Sequence, residues 1–276
     1  TIYTEDDMVG FGFGYTIGRG GKAVKTLLDT EIVPLLLNED ASDVERLFDK
    51  VWWQLHWIGR QGLLPITYAA ADIALWDLKG IRAGQPLYKL LGAARERIPI
   101  YDTDGGWLNH SEDELVRNSA ENMAKGFAGI KMKVGKPDRA EDVARVRAVR
   151  NAIGDATKLM VDANLHWTSA EALARASLFE EFDLYWLEEP IEADDVGGHA
   201  RLSRGTSIPI AIGESLYNRF AFKEFLSQEA ASILQPDIGR VGGITEWLRI
   251  ANMANGFNVS VAPHFLMEFH TQLVCA

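Results

Sequence analysis

Six residues that can carry charge or transfer protons stand singly at or near the ends of short strand-like segments. The segments read GIKMKV, KLMVDAN, YWLEEP, PIAIGE, SILQPD and VSVAPH, and the residues are Lys133, Asp162, Glu188, Glu214, Asp237 and His264. Successive residues are 29, 26, 26, 23 and 27 positions apart, near the roughly 31 residues of one βα unit in an eight-unit barrel. Because the carboxyl ends of parallel barrel strands meet at one rim, the spacing predicts that these groups share one site.

Three of the six residues, Asp162, Glu188 and Glu214, are carboxylates from consecutive segments. Hard oxygen donors around a rim suit Mg²⁺, which binds carboxylates and retains positions for substrate or water. The run Glu188-Glu189-Pro190 alone would be typical of a solvated acidic surface. Three carboxylates one unit apart instead predict a metal site.

Lys131 and Lys133 flank Met132, and the two-residue period of a strand places both side chains on the same face. In a barrel that face is the interior. Two neighbouring ammonium groups that are partly removed from water depress each other's pKa. The pattern therefore predicts a lysine that can act as a base near neutral pH.

Asp237 and His264 end the last two segments and could pair, so that the carboxylate fixes the imidazole tautomer and raises its basicity. A lone histidine is more often structural. We expect the other five histidines to be packed in the fold or on its surface: His56, His110, His166, His199 and His270.

Helical patterns separate the strand candidates, which indicates β-α alternation and a parallel sheet. The pattern over residues 139–153 carries Val143, Val146 and Val149 on one face and stops at Gly154. The first barrel strand is predicted over residues 98–104. The other predicted helices span residues 112–125, 170–182, 218–226 and 244–255.

The segment before the βα series predicts a separate α+β module, with a domain boundary near residue 97. Residues 2–16 have the pattern of a hairpin, and residues 42–91 are helical and rich in tryptophan. The glycines before Lys22 lack the spacing of a phosphate-binding loop. Four tryptophans are expected to pack in the core or at an interface: Trp52, Trp53, Trp57 and Trp76.

Composition excludes several classes of function. The net charge of −11 and the absence of a basic run with aromatics argue against a nucleic-acid surface. Apolar runs are too short for a membrane span, and the N-terminus lacks the pattern of a signal peptide. The single cysteine, Cys275, fits a reducing compartment, so the cytoplasm is the expected location.

Taken together, the strand-end motifs resemble the enolase superfamily, specifically its mandelate racemase/muconate lactonizing enzyme branch. The motifs are Lys131-Met-Lys133, Asp162-Ala-Asn164, Glu188-Glu189-Pro190, Gly213-Glu214-Ser215, Gln235-Pro236-Asp237 and Pro263-His264. The resemblance implies an α/β fold, a modified TIM barrel of the (β/α)7β type with an N-terminal α+β capping domain. Residues 1–97 would form the capping domain and residues 98–276 the barrel. We expect the first capping strand with its specificity loop, and an eighth-strand glutamate, to lie beyond the two ends of this sequence.

The resemblance also implies a role for each motif residue. Asp162, Glu188 and Glu214 would ligate Mg²⁺. Lys133 would remove the proton α to a substrate carboxylate, while Lys131 would lower the pKa of Lys133 and help to hold that carboxylate. Asn164 would lie close to substrate, and His264, oriented by Asp237, would act from the opposite face. A homo-oligomer is expected, with one subunit's capping domain near its neighbour's barrel.

Several functions share this proton abstraction. The runs EEPIEADDVGGH, QPDIGRVGGI and APHFLMEFH are most similar to acid-sugar dehydratases of the galactarate and talarate type, which implies a lyase that forms a 2-keto-3-deoxy acid. A racemase or epimerase of a 2-hydroxy acid, such as mandelate or a sugar acid, is the alternative. A Schiff-base aldolase, which would use Lys133 covalently without a metal, and a non-catalytic barrel are more remote alternatives.

Overall fold

The computed structural model describes residues 1–276. The chain divides into two compact units, each built from separate stretches of sequence. The first unit comprises residues 1–98, 213–223 and 235–276, and the second comprises residues 99–212 and 224–234. The division into domains of residues 1–97 and 98–276 stays a prediction.

The first unit begins with a short antiparallel hairpin, as the sequence predicts. Strand β1 (Ile2–Tyr3) pairs with β2 (Val9–Gly10). Asp7 adopts the left-handed conformation with φ 60°, and the Thr4 N–H donates to the Met8 carbonyl at 3.0 Å. These features close the turn. Gly10 is required here because a Cβ would lie 2.4 Å from the Ala74 carbonyl oxygen, so the hairpin lies directly on a helix backbone.

Helices make up most of the first unit. Helix α3 (Val44–Leu55) buries Val44, Leu47, Phe48, Val51 and Leu55, which is the spacing of one helix face. Helix α4 (Leu63–Ala83) is buried on most of its surface and is followed by Gly84 with φ 61°, a conformation that suits glycine. The helices are α1 (Gly21–Leu27), α2 (Val33–Leu36), α3 (Val44–Leu55), α4 (Leu63–Ala83) and α5 (Leu87–Leu90), with α11 (Ile244–Gly256) and α12 (Met267–Cys275) from the C-terminal stretch.

The predicted packing of the tryptophans is correct for two of the four residues. Trp76 is buried and its Nε1–H donates to Thr245 Oγ1 at 2.8 Å, while Trp52 packs against the core around Phe48. The prediction of core packing is wrong for Trp53 and Trp57, whose exposed fractions are 65% and 88%. Packing of these two residues at an interface stays a prediction. They occupy the end of α3 and the following turn, beyond the face that α3 buries.

The second unit is a βα series with parallel strands. Its six strands, between residues 101 and 234, are each hydrogen-bonded to the next in chain order. The strands are β3 (Tyr101–Asp102), β4 (Gly129–Lys133), β5 (Lys158–Asp162), β6 (Trp186–Glu188), β7 (Ile210–Ile212) and β8 (Ile233–Leu234). The first unit contains β9 (Ser260–Val261). The predicted parallel sheet is confirmed.

Helices follow the strands as expected. The predicted range 139–153 agrees with the observed α7 at both ends, where the Asp138 carboxylate accepts the Ala140 N–H and Gly154 stops the helix. Ser111 and Glu114 form a reciprocal cap on α6. The helices are α6 (Glu112–Ala124), α7 (Arg139–Ile153), α8 (Ser169–Phe179), α9 (Val196–Gly205) and α10 (Arg219–Ser227).

Alternation along the strands separates the core from the charged face. Ile130 and Met132 of β4 join Leu159 and Val161 of β5 in an apolar core with the helices. The intervening residues, Lys131 and Lys133 among them, point to the other face of the sheet. Both lysines therefore lie on a strand whose opposite face packs in the apolar core.

Candidate active site

The second unit brings two lysines and two carboxylates together at the carboxyl ends of three adjacent strands. Lys133 lies opposite Asp162 in the strand register, and Asp162 lies opposite Glu188. Lys131 Nζ lies 3.3 Å from Asp162 Oδ2, and Lys133 Nζ lies 2.5 Å from the same oxygen. The predicted placement of both lysines on one face is confirmed. We call Lys131, Lys133, Asp162 and Glu188 the lysine–carboxylate group.

Lys131 is paired more strongly than the sequence suggests. Its Nζ also lies 2.5 Å from Glu188 Oε1, and the side chain is almost completely buried. Burial alone would lower the pKa of Lys131, but the negative charges of Glu188 and Asp162 outweigh it and raise the pKa. The expectation that the pKa of Lys131 is lowered is therefore wrong for this structure, because the sequence gives no measure of the distances to the two carboxylates.

The two carboxylates of this group are fixed by additional donors. The indole Nε1–H of Trp186 donates to Glu188 Oε2 at 2.9 Å, and the Asn164 N–H donates to Asp162 Oδ1 at 2.9 Å. Burial opposes ionisation of Asp162, yet Lys131 and Lys133 lower its pKa. Asn164 follows in the left-handed conformation with φ 43°, and its side chain is exposed. Asp162 thus stays charged, and both carboxylates keep a defined orientation.

The first unit holds a second charged cluster, formed by Glu214, Asp237 and His264. His264 Nδ1 lies 2.8 Å from Asp237 Oδ2, and His264 Nε2 lies 3.2 Å from Glu214 Oε2. The predicted pairing of Asp237 with His264 is confirmed. Because a carboxylate oxygen accepts, the Nδ1 proton is directed at Asp237, and Nε2 lies on the side of Glu214. We call these three residues the histidine–aspartate group.

His270 links the two loops that carry the histidine–aspartate group. Its Nε2 accepts the Ile238 N–H at 3.1 Å, and its Nδ1 lies 2.6 Å from the Phe265 carbonyl oxygen. One nitrogen must accept and the other must donate, which defines a neutral tautomer. Burial lowers the pKa of His270 in agreement with this arrangement. The prediction of a structural role is confirmed for this histidine.

One member of the site lay outside any sequence pattern. The Tyr15 hydroxyl donates to Asp237 Oδ2 at 2.6 Å, across 222 positions of sequence. A tyrosine in a loop after a hairpin carries no motif, so only the fold reveals this contact.

His199 is buried, and its Nδ1 lies 3.0 Å from the Asp195 carbonyl oxygen, which fits the expected structural role.

Oxygen donors that could hold a metal ion stand at consecutive strand ends. Asp162 ends β5, Glu188 ends β6, and Glu214 follows the last residue of β7 by two positions. Each offers one carboxylate oxygen. A set made only of carboxylates suits a hard cation such as Mg²⁺ better than a soft one.

Comparison with known proteins agrees with this geometry. A model of the mandelate racemase/muconate lactonizing enzyme N-terminal domain matches residues 1–92, and a model described as enolase C-terminal domain-like matches residues 114–276. The chain belongs to the mandelate racemase/muconate lactonizing enzyme family of the enolase superfamily.

Curated relatives in this family include lyases and isomerases. The chain is 40% identical over 275 residues to an L-talarate/galactarate dehydratase from Salmonella typhimurium, which covers 100% of this chain and 69% of the relative. It is 40% identical over 263 residues to a 3,6-anhydro-α-L-galactonate cycloisomerase from Streptomyces coelicolor, covering 95% of this chain and 73% of the relative.

A solved structure of this superfamily shows the same fold. An L-talarate dehydratase from Polaromonas sp. JS666, complexed with Mg and L-glucarate, matches with a TM-score of 0.93 and 44% identity over 99% of this chain and 76% of that chain. The predicted fold class, with its TIM barrel-like sheet, is confirmed.

None of the helices in the structure has the length and apolar character that crossing a membrane requires.

Proposed function

We propose that this protein removes the proton α to the carboxylate of an acid sugar in a Mg²⁺-dependent reaction and then eliminates water. The product is a 2-keto-3-deoxy acid, and the favoured substrate class is a diacid of the galactarate or talarate type. The observation that carries the proposal is the contact of Lys133 with Asp162, which places a candidate base beside a candidate metal ligand.

In this proposal, Asp162, Glu188 and Glu214 hold the ion. Mg²⁺ would stabilise the negative charge of an enediolate, which is needed because a carboxylate's α-proton is very weakly acidic. Lys131 neutralises Glu188 and helps to hold the substrate carboxylate, and Asn164 lies close to substrate. The dehydratase and the Mg-bound dehydratase described above support this assignment.

Lys133 and His264 carry out two different proton transfers. Lys133 accepts the α-proton at Nζ, and the electrons of the broken C–H bond form the enediolate. The β-hydroxyl then leaves with a proton from His264 Nε2, so that water is released and the resulting enol becomes the keto acid. Asp237 holds the imidazole so that Nε2 is the atom that donates.

An isomerase is the second candidate. If the substrate lacks a leaving group at the β-carbon, His264 can return a proton to the other face, which gives racemisation or epimerisation. The cycloisomerase among the relatives favours keeping this candidate. We further propose that the protein forms a homo-oligomer. We also propose that it works in the cytoplasm, since a single cysteine fits a reducing compartment.

A substrate screen in D₂O tests the proposal. The protein with Mg²⁺ is incubated with hexarates, pentonates, hexonates and mandelate, and each reaction is followed for keto acid and for deuterium at the α-carbon. Keto acid from a diacid is the expected result. Exchange or an epimer without keto acid would assign the isomerase, and the absence of both would contradict the proposed reaction.

A further inference from the structure

Tyr15 shares a carboxylate oxygen with the proposed acid of the reaction. Its hydroxyl donates to Asp237 Oδ2 at 2.6 Å, and His264 Nδ1 lies 2.8 Å from the same oxygen. The other oxygen, Oδ1, accepts the Gly239 N–H at 2.7 Å. Asp237 is completely buried. Three donors therefore fix this carboxylate, and two of them converge on the oxygen that orients the imidazole.

The ring of Tyr15 is itself held in place. It packs edge-on against Phe265, with centroids 5.7 Å apart, and Phe265 directly follows His264. A Cβ at Gly239 would lie 2.6 Å from Tyr15 Cε1, so glycine is required for the ring to reach Asp237. Burial and the charge of Asp237 raise the pKa of Tyr15, which keeps the phenol protonated as a donor.

We propose that Tyr15 is a positioning residue that acts through Asp237: its hydroxyl fixes the carboxylate that holds the His264 ring in one orientation and tautomer. The proposal rests on the proposed function, because it assigns proton transfer to His264. Tyr15 itself does not contact the proposed transfer atom, Nε2. The N-terminal module thus supplies one donor to the histidine–aspartate group.

A change from Tyr15 to Phe removes the hydroxyl and retains the ring. We expect Tyr15→Phe to slow keto-acid formation, the step assigned to His264, by about tenfold, the size typical of losing a hydrogen bond to a charged group. Exchange of the α-proton, assigned to Lys133, should change less than about twofold. A merely structural role would lower both rates together, and that outcome, or unchanged rates, would overturn the proposal. Tyr3→Phe removes an exposed hydroxyl from the same module as the control.

A readout without turnover separates this proposal from the proposed function. In ¹⁵N-labelled protein the imidazole signals of His264 are assigned by their loss in His264→Asn. Tyr15→Phe should shift the Nδ1–H signal and introduce the second tautomer, and an unchanged spectrum would overturn the positioning role. If no acid sugar is converted by the unaltered protein, the proposed function fails while this spectrum still decides the role of Tyr15.

A second variant, at Gly239, tests the same contact between Tyr15 and Asp237 without changing the tyrosine. Gly239→Ala should displace the Tyr15 ring and reproduce the spectral change of Tyr15→Phe. Gly256→Ala is the matched control, because a Cβ there meets no atom within 4 Å. A Gly239→Ala spectrum identical to that of the unaltered protein would contradict the proposed coupling.

Discussion

Lys133 Nζ and Asp162 Oδ2 lie 2.5 Å apart, so the proposed base and a proposed metal ligand already form an ion pair. The side chain of Lys133 is 17% exposed, whereas that of Asp162 is completely buried. The ammonium group of Lys133 is therefore the solvent-accessible member of the pair. A base must lose its proton before it can act, so this pair has to weaken when a metal ion and substrate bind.

Replacing Lys133 by Ala should abolish both α-proton exchange and keto-acid formation, because no other group is proposed to remove that proton. Stability should change less than on loss of Lys131, because Lys133 is partly exposed and Lys131 Nζ still lies 3.3 Å from Asp162 Oδ2. Exchange into the substrate is measured by NMR in D₂O, and unfolding by denaturant. Lys223→Ala, at an exposed position, is the control. Exchange at the normal rate in Lys133→Ala would remove this residue from the role of base.

Glu214→Gln should weaken Mg²⁺ binding by at least about tenfold, because an amide oxygen lacks the charge of a carboxylate. Calorimetric titration with Mg²⁺ measures the change, and the exposed Glu224→Gln serves as the control. The substitution also affects the contact with His264 Nε2. Unaltered Mg²⁺ affinity would take Glu214 out of the proposed ligand set.

Lys131→Met should destabilise the metal-free protein by about 3 kcal/mol, since it leaves buried Glu188 without its ammonium partner. Saturating Mg²⁺ should recover part of this loss, because a divalent cation would supply the missing positive charge. Denaturant unfolding with EDTA and with Mg²⁺ gives the two values. Lys158→Met, an exposed lysine at the start of a neighbouring strand, is the control. Equal destabilisation with and without Mg²⁺ would be inconsistent with an ion at these carboxylates.

Asp72 should make stability depend on pH. This completely buried carboxyl accepts hydrogen bonds from Thr245, from N–H at 3.0 Å and from Oγ1 at 2.6 Å. Burial raises the pKa of Asp72 to about 7 against these hydrogen bonds. The folded state therefore binds the proton more tightly than the unfolded chain, whose carboxyl titrates near pH 4. Its contribution is fully present below about pH 4 and is lost as pH rises to about 7.

Denaturant unfolding at a series of pH values tests this linkage. Between pH 4 and 7, Asp72 alone should reduce the free energy of unfolding by a few kcal/mol, at about 1.4 kcal/mol per pKa unit. Asp72→Asn should remove that slope, whereas the exposed Asp155→Asn should retain it. The same slope in Asp72→Asn and in the unaltered protein would show that this carboxyl is not the source.

The local sequence pattern was sufficient to predict the helices and strands and much of the candidate site. The helix at 139–153 has both a cap and a glycine stop within its own sequence, so both its ends could be predicted. Strand-end positions followed from the regular βα spacing, which also placed Lys133, Asp162 and Glu188 in register. These features depend on residues that lie near one another along the chain.

Contacts over long sequence distances could not be predicted. Tyr15 contacts Asp237 across 222 positions of sequence, and the sequence has no signal for that contact. The pKa of Lys131 depends on distances of 2.5 and 3.3 Å to two carboxylates, which strand spacing does not provide. Trp53 and Trp57 lie outside the buried face of α3, so the apolar pattern indicated core packing that these two residues do not have.

The ion pairs of Lys131 and Lys133 with Glu188 and Asp162 give the protein its own internal counterions. Folding of this unit then does not have to wait for a divalent ion, because the buried negative charge is already balanced. If Mg²⁺ binds these carboxylates as proposed, it would replace the ammonium groups as their counterion. The affinity for the metal would then depend on the lysines as well as on the carboxylates, and a substitution of either partner would change both metal binding and the protonation of the proposed base.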